Sequence, residues 1–312
     1  MSYYIRNIVK KVAKIFGLEF FFTKQWFNYL AYKNGIAVSY QKSSITLSKK
    51  DEKIIICRTE KSFGSIGIVV RDFDDFFETL VPNVIQNINV IDFSKPKFHT
   101  LKRDNDKFFF HDICEPIAVT DIYVSKAALK EGDIVLDIGS YCGTQTVFFS
   151  KLVGKTGAVF AFEPDAVTFQ SLSKNIAEHK CSNITALNIG LYSSDGEIGF
   201  SGDSGMGASI SSEAAFKIKV RRLDAICKEY NLQKIDFIKM DIEGAEIDVL
   251  KSSKEVIQKY KPRFIIEPHF IDGILNDNQI IAIFNELNYE TQTLKQGSFD
   301  YQPLLYCYPK EI

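Results

Sequence analysis

Residues 133–143 read DIVLDIGSYCG, a short apolar run that leads into a turn containing two glycines, Gly139 and Gly143. A run of this kind before a helical pattern is typical of a buried parallel strand. In open α/β sheets, ligands bind beyond the carboxyl ends of the strands. Gly139 allows a sharp turn and the close approach of a ligand, and Gly143 lets the next helix begin near the strand. The stretch therefore predicts a Rossmann-like strand–turn–helix unit with a ligand at the turn.

Strands and helices alternate through the rest of the C-terminal part of the chain. The helical patterns cover residues 117–130, from about 144, 165–178, after Leu223, from Glu246 and 277–287. The strand-like runs between and after them are AVFAFEP, ITALNIG, IDFIKMD, RFIIEP, YETQTL and PLLYCYP. The last two runs lack a long helix between them, so at least one strand should be antiparallel. We predict an α/β domain over residues 111–312, with a mostly parallel sheet covered on both faces.

Residues 1–110 have a different pattern, which predicts a small α+β region. Runs such as KIIICR and SIGIVV within residues 36–70 indicate strands, and DFDDFFETL has helical spacing. The segment IRNIVKKVAKIF (5–16) forms a basic amphipathic helix pattern. We expect this helix to pack on the protein itself or on a second copy of the chain. The alternative is that it binds at the surface of a membrane.

The composition excludes some classes of partner. The chain has 312 residues, 46% of them hydrophobic, and its 38 basic and 39 acidic residues leave a net charge of −1. That balance gives no general attraction to nucleic acid, so no nucleic-acid partner is expected. The six cysteines form no C-x-x-C pair, and neither a signal peptide nor a membrane-spanning run is evident. We therefore predict a cytoplasmic protein.

A carboxylate follows the second predicted strand of the C-terminal domain. Glu163 ends the run AVFAFEP, and Pro164 stops the strand immediately after it. At this place a carboxylate can accept hydrogen bonds from both hydroxyls of a ribose. A dinucleotide site usually shows G-x-G-x-x-G, but here Tyr141 occupies the position of the second glycine. The turn therefore favours S-adenosylmethionine, which has no pyrophosphate, over NAD.

The fourth and fifth strands end in further acidic residues. The tract KMDIEGAE places Asp241 at a strand tip, and RFIIEPH adds Glu267 and His269 at the same predicted edge. We interpret Asp241 as functional. Glu243 and Glu246 suit the start of a helix, where acidic residues interact favourably with the helix dipole.

The series DIGSYCG, FEP, KMDIEGAE and IIE resembles the motifs of the FkbM-family methyltransferases. The resemblance covers roughly residues 90–270 and includes the tract IDFSKPKFH (91–99). It implies a class I methyltransferase fold, with a seven-stranded Rossmann-like sheet that is parallel apart from one strand. It also implies S-adenosylmethionine as cofactor and O-methylation, often of sugar or glycan hydroxyls, so that the partner is a small-molecule or glycan acceptor.

The resemblance also implies roles for individual residues. Asp137, Gly139 and Gly143 would border the methionine part of the cofactor, and Glu163, followed by Pro164, would hold the ribose. Asn188 would lie near the adenine, and Asp241 would face the sulfonium and the acceptor. The pair Ser140–Tyr141 would border the cofactor as well, at the position where many members have Ala-Asn.

Transfer to a hydroxyl requires removal of its proton as the new bond forms. The residues that can accept the proton are Asp241, Glu267 and His269, and His269 titrates nearest neutrality. Lys239 can steady a developing alkoxide. We expect no metal ion, and a divalent cation shared by Asp241 and Glu267 is the less favoured alternative. The glycine-rich segment 199–215 is either a loop that closes over the acceptor or a hairpin tip without a role.

Two other classes of function fit the same sheet. One is an NAD-dependent oxidoreductase, and the other is a cofactor-binding module that has lost its chemistry. Tyr141 and the closing strand pair oppose the first. Retention of Glu163, Asp241 and Glu267 opposes the second.

Overall fold

The computed structural model describes residues 19–57, 62–114, 117–201, 209–210, 216–271, 273–294 and 303–310. The chain divides into two compact units, residues 1–117 and residues 118–312. Within the described part of the chain, no helix combines the length and the apolar character that crossing a bilayer requires. The amphipathic segment 5–16 lies outside the described residues, as does most of segment 199–215.

The N-terminal unit is an α+β unit, as the sequence predicts. Its helices are α1 (Glu19–Lys33), α2 (Ser62–Arg71) and α3 (Phe73–Thr79). Its strands are β1 (Ala37–Tyr40), β2 (Ser44–Lys49), β3 (Glu52–Cys57), β4 (Asn83–Ile85), β5 (Ile88–Phe93), β6 (Lys97–Thr100) and β7 (Lys107–Phe110). Five of them form a sheet in the order β1-β2-β3-β5-β4, and β6 and β7 form a hairpin.

One expectation for this unit is wrong. The run SIGIVV belongs to helix α2 and is not a strand. The reason is tertiary packing, because Ile66, Val69 and Val70 are buried at helical spacing. A Cβ on Gly67 would lie 2.9 Å from the Phe27 ring of α1, so the glycine lets α1 and α2 approach closely.

The C-terminal unit contains the predicted alternation of strands and helices. Its helices are α4 (Ile117–Ala127), α5 (Thr144–Val153), α6 (Ala166–Glu178), α7 (Leu223–Glu229), α8 (Glu246–Ser252), α9 (Lys254–Tyr260) and α10 (Asp277–Glu286). Its main strands are β8 (Ile134–Ile138), β9 (Ala158–Phe162), β10 (Ile184–Leu187), β15 (Phe237–Met240), β16 (Arg263–Ile266), β19 (Tyr289–Leu294) and β20 (Leu304–Pro309). Shorter strands are β11 (Gly190–Leu191), β12 (Gly196–Ser201), β13 (Ser209–Ile210), β14 (Phe216–Arg221), β17 (Phe270–Ile271) and β18 (Ile274–Leu275).

Seven strands form one sheet in the order β10-β9-β8-β15-β16-β20-β19. The neighbouring strands β10, β9, β8, β15 and β16 are all parallel to one another. Strand β20 runs antiparallel to both of its neighbours, β16 and β19. The predicted class I methyltransferase sheet with a single antiparallel strand is therefore confirmed. Strands β11–β14 add a small four-stranded sheet that the sequence does not predict as a unit.

Alternate residues of the central strands pack into two separate clusters. Leu136, Ile138, Ile238 and Met240 belong to one cluster, whereas Val135, Phe237 and Ile265 belong to the other. Because side chains on a strand alternate between faces, the sheet is buried on both sides. Asp137 and Lys239 are the polar exceptions within these strands, and both are buried on the face of Val135 and Phe237.

Candidate active site at the carboxyl edge of the sheet

Four strands end at the same level of the sheet. In the strand register, Ile138 pairs with both Phe162 and Met240, and Met240 pairs with Ile266. The residues that follow are Gly139, Glu163, Asp241 and Glu267. The structure thus brings together the ends of the four strands whose tips the sequence marks as functional.

The turn after β8 has three residues in the left-handed region of backbone space. Gly139 has φ +84°, Tyr141 has φ +48°, and Gly143, the N-cap of α5, has φ +82°. A Cβ on Gly139 would lie 1.8 Å from the carbonyl oxygen of Asp241, and one on Gly143 would lie 2.3 Å from Leu172. Both glycines are therefore required by close approach as well as by backbone conformation.

Asp137 and Ser140 lie beneath this turn. Asp137 has no exposed surface, and Thr146 Oγ1 donates a hydrogen bond to its Oδ2. Ser140, also buried, donates its hydroxyl to the Asp137 carbonyl at 2.8 Å. Burial raises the pKa of Asp137, although Lys239 and the Thr146 hydroxyl act in the opposite direction. In the structure, the hydrogen bonds of these residues stabilise the conformation of the turn.

Lys239 connects the turn after β8 to the turn after β15. Its side chain is 3% exposed, and its Nζ lies 3.7 Å from Asp137 Oδ1 and 3.6 Å from Asp241 Oδ2. The same ammonium donates a hydrogen bond to the Gly139 carbonyl. The ammonium that the sequence predicts to stabilise an alkoxide is therefore directed at oxygens of the protein itself.

Glu163 is a buried carboxylate that faces the turn after β8. It accepts hydrogen bonds from the backbone N–H groups of Tyr141 at 3.0 Å and Asp165 at 2.9 Å. Burial raises its pKa to about 8, against the opposing effect of the hydrogen bond from Asp165. Asn188 donates its amide to the carbonyl oxygens of Glu163 and Pro164, so it fixes this strand end.

In its ionised form, Glu163 has acceptor capacity for the ribose of S-adenosylmethionine, the cofactor that the sequence predicts. A carboxylate has about four acceptor sites, so two remain on Glu163 beside the two backbone donors. That capacity matches the two hydroxyls of a ribose. The crowding at Gly139 shows that the backbone at this turn is closely packed and leaves no room for a side chain.

The turn after β15 carries the second half of the site. Asp241 Oδ1 and Glu243 Oε2 each lie 3.5 Å from Nε2 of His269. Asp241 is 20% exposed and Glu243 34% exposed, whereas His269 is 9% exposed. Glu243 has φ +54°, a left-handed conformation that is unusual for a residue with a Cβ. The two carboxylates therefore face solvent on one side and a buried imidazole on the other.

Glu246 fixes the other side of the imidazole. His269 Nδ1 lies 2.8 Å from Glu246 Oε1, and Asn276 donates its amide to Glu246 Oε2 at 2.9 Å. Burial would raise the pKa of Glu246, but the hydrogen bond and charge of His269 outweigh it and lower that pKa. Because Glu246 is fully buried, it is more than the helix N-terminal acid that the sequence indicates.

The state of His269 differs from the expected near-neutral base. Burial alone would lower its pKa, but the hydrogen bond to Glu246 and the charges of Asp241, Glu246 and Glu243 raise it to about 10. The imidazole is therefore a cation at neutral pH in this structure. In that state it does not accept a proton from a substrate.

Glu267 lies on the face of the sheet that α4 covers. The Tyr123 hydroxyl of α4 lies 3.4 Å from Glu267 Oε2, and the Lys239 ammonium lies 5.8 Å from the centre of the Tyr123 ring. Sequence reasoning missed Tyr123, Thr146 and Asn276. Tyr123 is 144 residues from Glu267 and Asn276 is 30 residues from Glu246, whereas Thr146 is only nine residues from Asp137.

Comparison with known proteins identifies the domain. Residues 137–291 match the family profile of the methyltransferase FkbM domain. This range contains the turns after β8, β9, β15 and β16, and therefore all the strand-end residues described above.

Two relatives of known activity match part of the chain. Hexuronic acid methyltransferase AglP of Haloferax volcanii is 28% identical over 168 residues, which cover 51% of this chain and 68% of that protein. The 2-O-methyltransferase NoeI of Sinorhizobium fredii is 27% identical over 157 residues, which cover 44% of this chain and 63% of that protein. Among solved structures, methyltransferase FkbM from Methylobacillus flagellatus is 21% identical with a TM-score of 0.45, covering 61% of this chain and 50% of that chain.

Proposed function

We propose that this chain, whose residues 137–291 belong to the FkbM methyltransferase family, transfers a methyl group from S-adenosylmethionine to a hydroxyl of a sugar or glycan. One observation carries the proposal. The turn after β8 touches the turn after β15, since a Cβ on Gly139 would lie 1.8 Å from the Asp241 carbonyl oxygen. A cofactor bound at the first turn therefore presents its reactive end to the carboxylates of the second.

The cofactor half of the proposal rests on Glu163 and Gly139. Glu163 would accept the ribose hydroxyls, and the Gly139–Gly143 turn would border the methionine end. Backbone N–H groups at the start of α5 favour the carboxylate of that end. The tyrosine at position 141 in place of a glycine supports S-adenosylmethionine over NAD.

The acceptor half rests on the chemistry of the second turn and on the relatives. Two relatives are named for methylation of hexuronic acid and for 2-O-methylation. Partly exposed carboxylates such as Asp241 and Glu243 accept hydrogen bonds from several sugar hydroxyls at once. A sugar hydroxyl is therefore the acceptor that this arrangement favours.

Bound S-adenosylmethionine supplies a methyl group on a positively charged sulfur, which is a good leaving group. The acceptor oxygen forms a bond to that carbon while the carbon–sulfur bond breaks and its electron pair stays on sulfur. Holding the oxygen about 3 Å from the methyl carbon on the line of the departing sulfur accounts for much of the rate. Asp241 would accept the hydroxyl proton, and the Lys239 ammonium lies 3.6 Å from its Oδ2.

The experiment has two steps. The first measures thermal stabilisation of the full chain by S-adenosylhomocysteine and by NAD, and we expect stabilisation only by the former. The second measures transfer of tritiated methyl groups to glycosides of hexuronic acids and of neutral hexoses, with omission of the acceptor as the blank.

The two steps separate the alternatives. Stabilisation by NAD alone would support an oxidoreductase. Binding of S-adenosylhomocysteine without transfer to any sugar would leave either a non-catalytic module or a different acceptor. Transfer to a sugar hydroxyl, located by mass spectrometry of the product, would establish the proposed activity.

A further inference from the structure

We propose that Asp241, Glu243 and His269 bind a divalent transition-metal ion, and that this ion holds the acceptor hydroxyl. The proposal deepens the function proposed above and rests on it for the identity of the acceptor. It revises the expectation that the site works without a metal, and it replaces Glu267 by Glu243 and His269 as partners of Asp241.

The spacing of the donor atoms fits an ion between them. His269 Nε2 lies 3.5 Å from Asp241 Oδ1 and 3.5 Å from Glu243 Oε2. All three donor atoms lie within 4.8 Å of one another. Good hydrogen bonds between such groups are shorter, at about 2.7–3.2 Å. A four-coordinate ion with bonds of about 2.0–2.2 Å places its ligand atoms about 3.4 Å apart.

The imidazole is oriented by a group outside this cluster. Nδ1 of His269 lies 2.8 Å from the Glu246 carboxylate, which accepts hydrogen bonds but does not donate them when ionised. Nδ1 therefore keeps its proton, whereas a metal ion would displace the second proton of the cation from Nε2, which is directed toward Asp241 and Glu243. Glu246 is in turn held by Asn276, which is also buried. A carboxylate on the far nitrogen of a histidine is the usual support of a metal-binding imidazole.

The donor set selects the class of ion. One imidazole nitrogen and two carboxylate oxygens suit ions such as Mn²⁺ and Zn²⁺, which accept both donor types. Mg²⁺ prefers oxygen ligands only and keeps most of its water molecules. Mn²⁺ is the more useful probe because it is paramagnetic.

Such an ion has positions left for the acceptor. Three protein ligands leave at least one coordination position open in a catalytic site. Asp241 and Glu243 are 20% and 34% exposed, so the open side is reachable from solvent. Two neighbouring oxygens of a sugar can bind there. The ion would lower the pKa of a bound hydroxyl, so that its proton could pass to water and Asp241 would serve as a metal ligand in place of the proton acceptor.

The test measures metal binding directly and needs no turnover. Mn²⁺ is titrated into the 312-residue chain and followed by electron paramagnetic resonance, for the wild type and for Asp241→Asn, Glu243→Gln and His269→Gln. We expect each replacement to weaken Mn²⁺ binding at least about tenfold. His179→Gln and Glu178→Gln are matched controls, because both residues lie at the C-terminal end of α6, away from the carboxyl edge of the sheet. They should retain the wild-type affinity.

A second measurement needs no variant. Pulsed spectra of Mn²⁺ bound to the wild type should show coupling to the ¹⁴N nucleus of a directly bound imidazole. Absence of that coupling, absence of Mn²⁺ and Zn²⁺ binding, or undiminished binding by His269→Gln would each overturn the metal site.

The experiments distinguish an error in the proposed metal site from an error in the proposed methyltransferase activity. Methyl transfer that is unaffected by EDTA, in a protein that binds no Mn²⁺, overturns the metal site and leaves the activity standing. Mn²⁺ bound through His269 without transfer to any sugar supports the metal site and overturns the acceptor class.

Discussion

The backbone N–H of Tyr141 donates a hydrogen bond of 3.0 Å to Oε2 of Glu163, so the glycine turn after β8 is attached to the carboxylate after β9. The two features that the sequence assigns to the methionine and ribose ends of the cofactor are therefore in direct contact. Since this carboxylate has a pKa raised to about 8 by burial, its charge state changes close to physiological pH.

Cofactor affinity should therefore increase with pH. Ribose hydroxyls donate hydrogen bonds, so they bind the ionised form of Glu163 better than the neutral form. Below the pKa of about 8, the dissociation constant of S-adenosylhomocysteine should fall about tenfold for each pH unit gained and level off above it. Calorimetric titrations between pH 6 and pH 9 measure this. Glu163→Gln should bind weakly at every pH, and it corrects for titration of the ligand itself. A flat profile in the wild type would contradict the assignment.

Gly139→Ala should abolish cofactor binding and destabilise the protein. The new Cβ would lie 1.8 Å from the Asp241 carbonyl oxygen, in a backbone with φ +84°. Gly132→Ala is the matched control, because Gly132 has φ +87° but its Cβ would meet only the Thr156 hydroxyl at 3.6 Å. The control should lose about 1–2 kcal/mol of unfolding free energy, because alanine disfavours a positive φ, and it should keep its affinity for the cofactor. Equal behaviour of the two variants in urea denaturation would show that the close contact is unimportant.

Asp241→Asn should separate chemistry from binding. The turnover number should fall at least about 100-fold, because either role of Asp241, proton acceptance or metal binding, requires a charged carboxylate. The affinity for S-adenosylhomocysteine should stay within about tenfold of the wild type. Asp51→Asn, at an exposed turn between β2 and β3, serves as the control and should keep full turnover. Full activity of Asp241→Asn would remove this residue from the mechanism.

Glu246→Gln should destabilise the C-terminal unit. Glu246 is fully buried and is contacted by His269 at 2.8 Å and Asn276 at 2.9 Å. Replacing the carboxylate by an amide leaves one buried partner without an acceptor, at a cost of about 1–3 kcal/mol in chemical denaturation. Glu286→Gln, which breaks the exposed pair with Lys254, should leave the unfolding free energy nearly unchanged. A similar effect of both variants would show that the buried contacts contribute little.

The sheet could be predicted from the sequence because its strands are short apolar runs with a glycine or an acidic residue at the tip. DIVLDIG, AVFAFEP, IDFIKMD and RFIIEP all form the strands expected of them. SIGIVV could not be recognised as a helix, since its β-branched composition favours a strand and only packing against α1 decides otherwise. At that segment the local sequence preference favours a strand, whereas burial of the side chains against the rest of the unit favours a helix, and the helix forms.

The polar contacts inside the site could be predicted less well. Glu246 and Asn276 are 30 residues apart, and Tyr123 and Glu267 are 144 residues apart, so no local pattern indicates either pair. The charge of His269 depends on three carboxylates that converge only in the folded chain. The strand tips follow from local sequence, whereas their protonation and mutual support follow from the fold.

The left-handed backbone of Tyr141 and Glu243 has a practical consequence for anyone who modifies this protein. Each residue holds a conformation, φ +48° and φ +54°, that disfavours a side chain by of the order of 1–3 kcal/mol. Glycine or asparagine would relax both turns and raise the melting temperature. A selection for heat resistance alone would therefore favour these two replacements, and the one at Glu243 would remove a ligand of the proposed metal site.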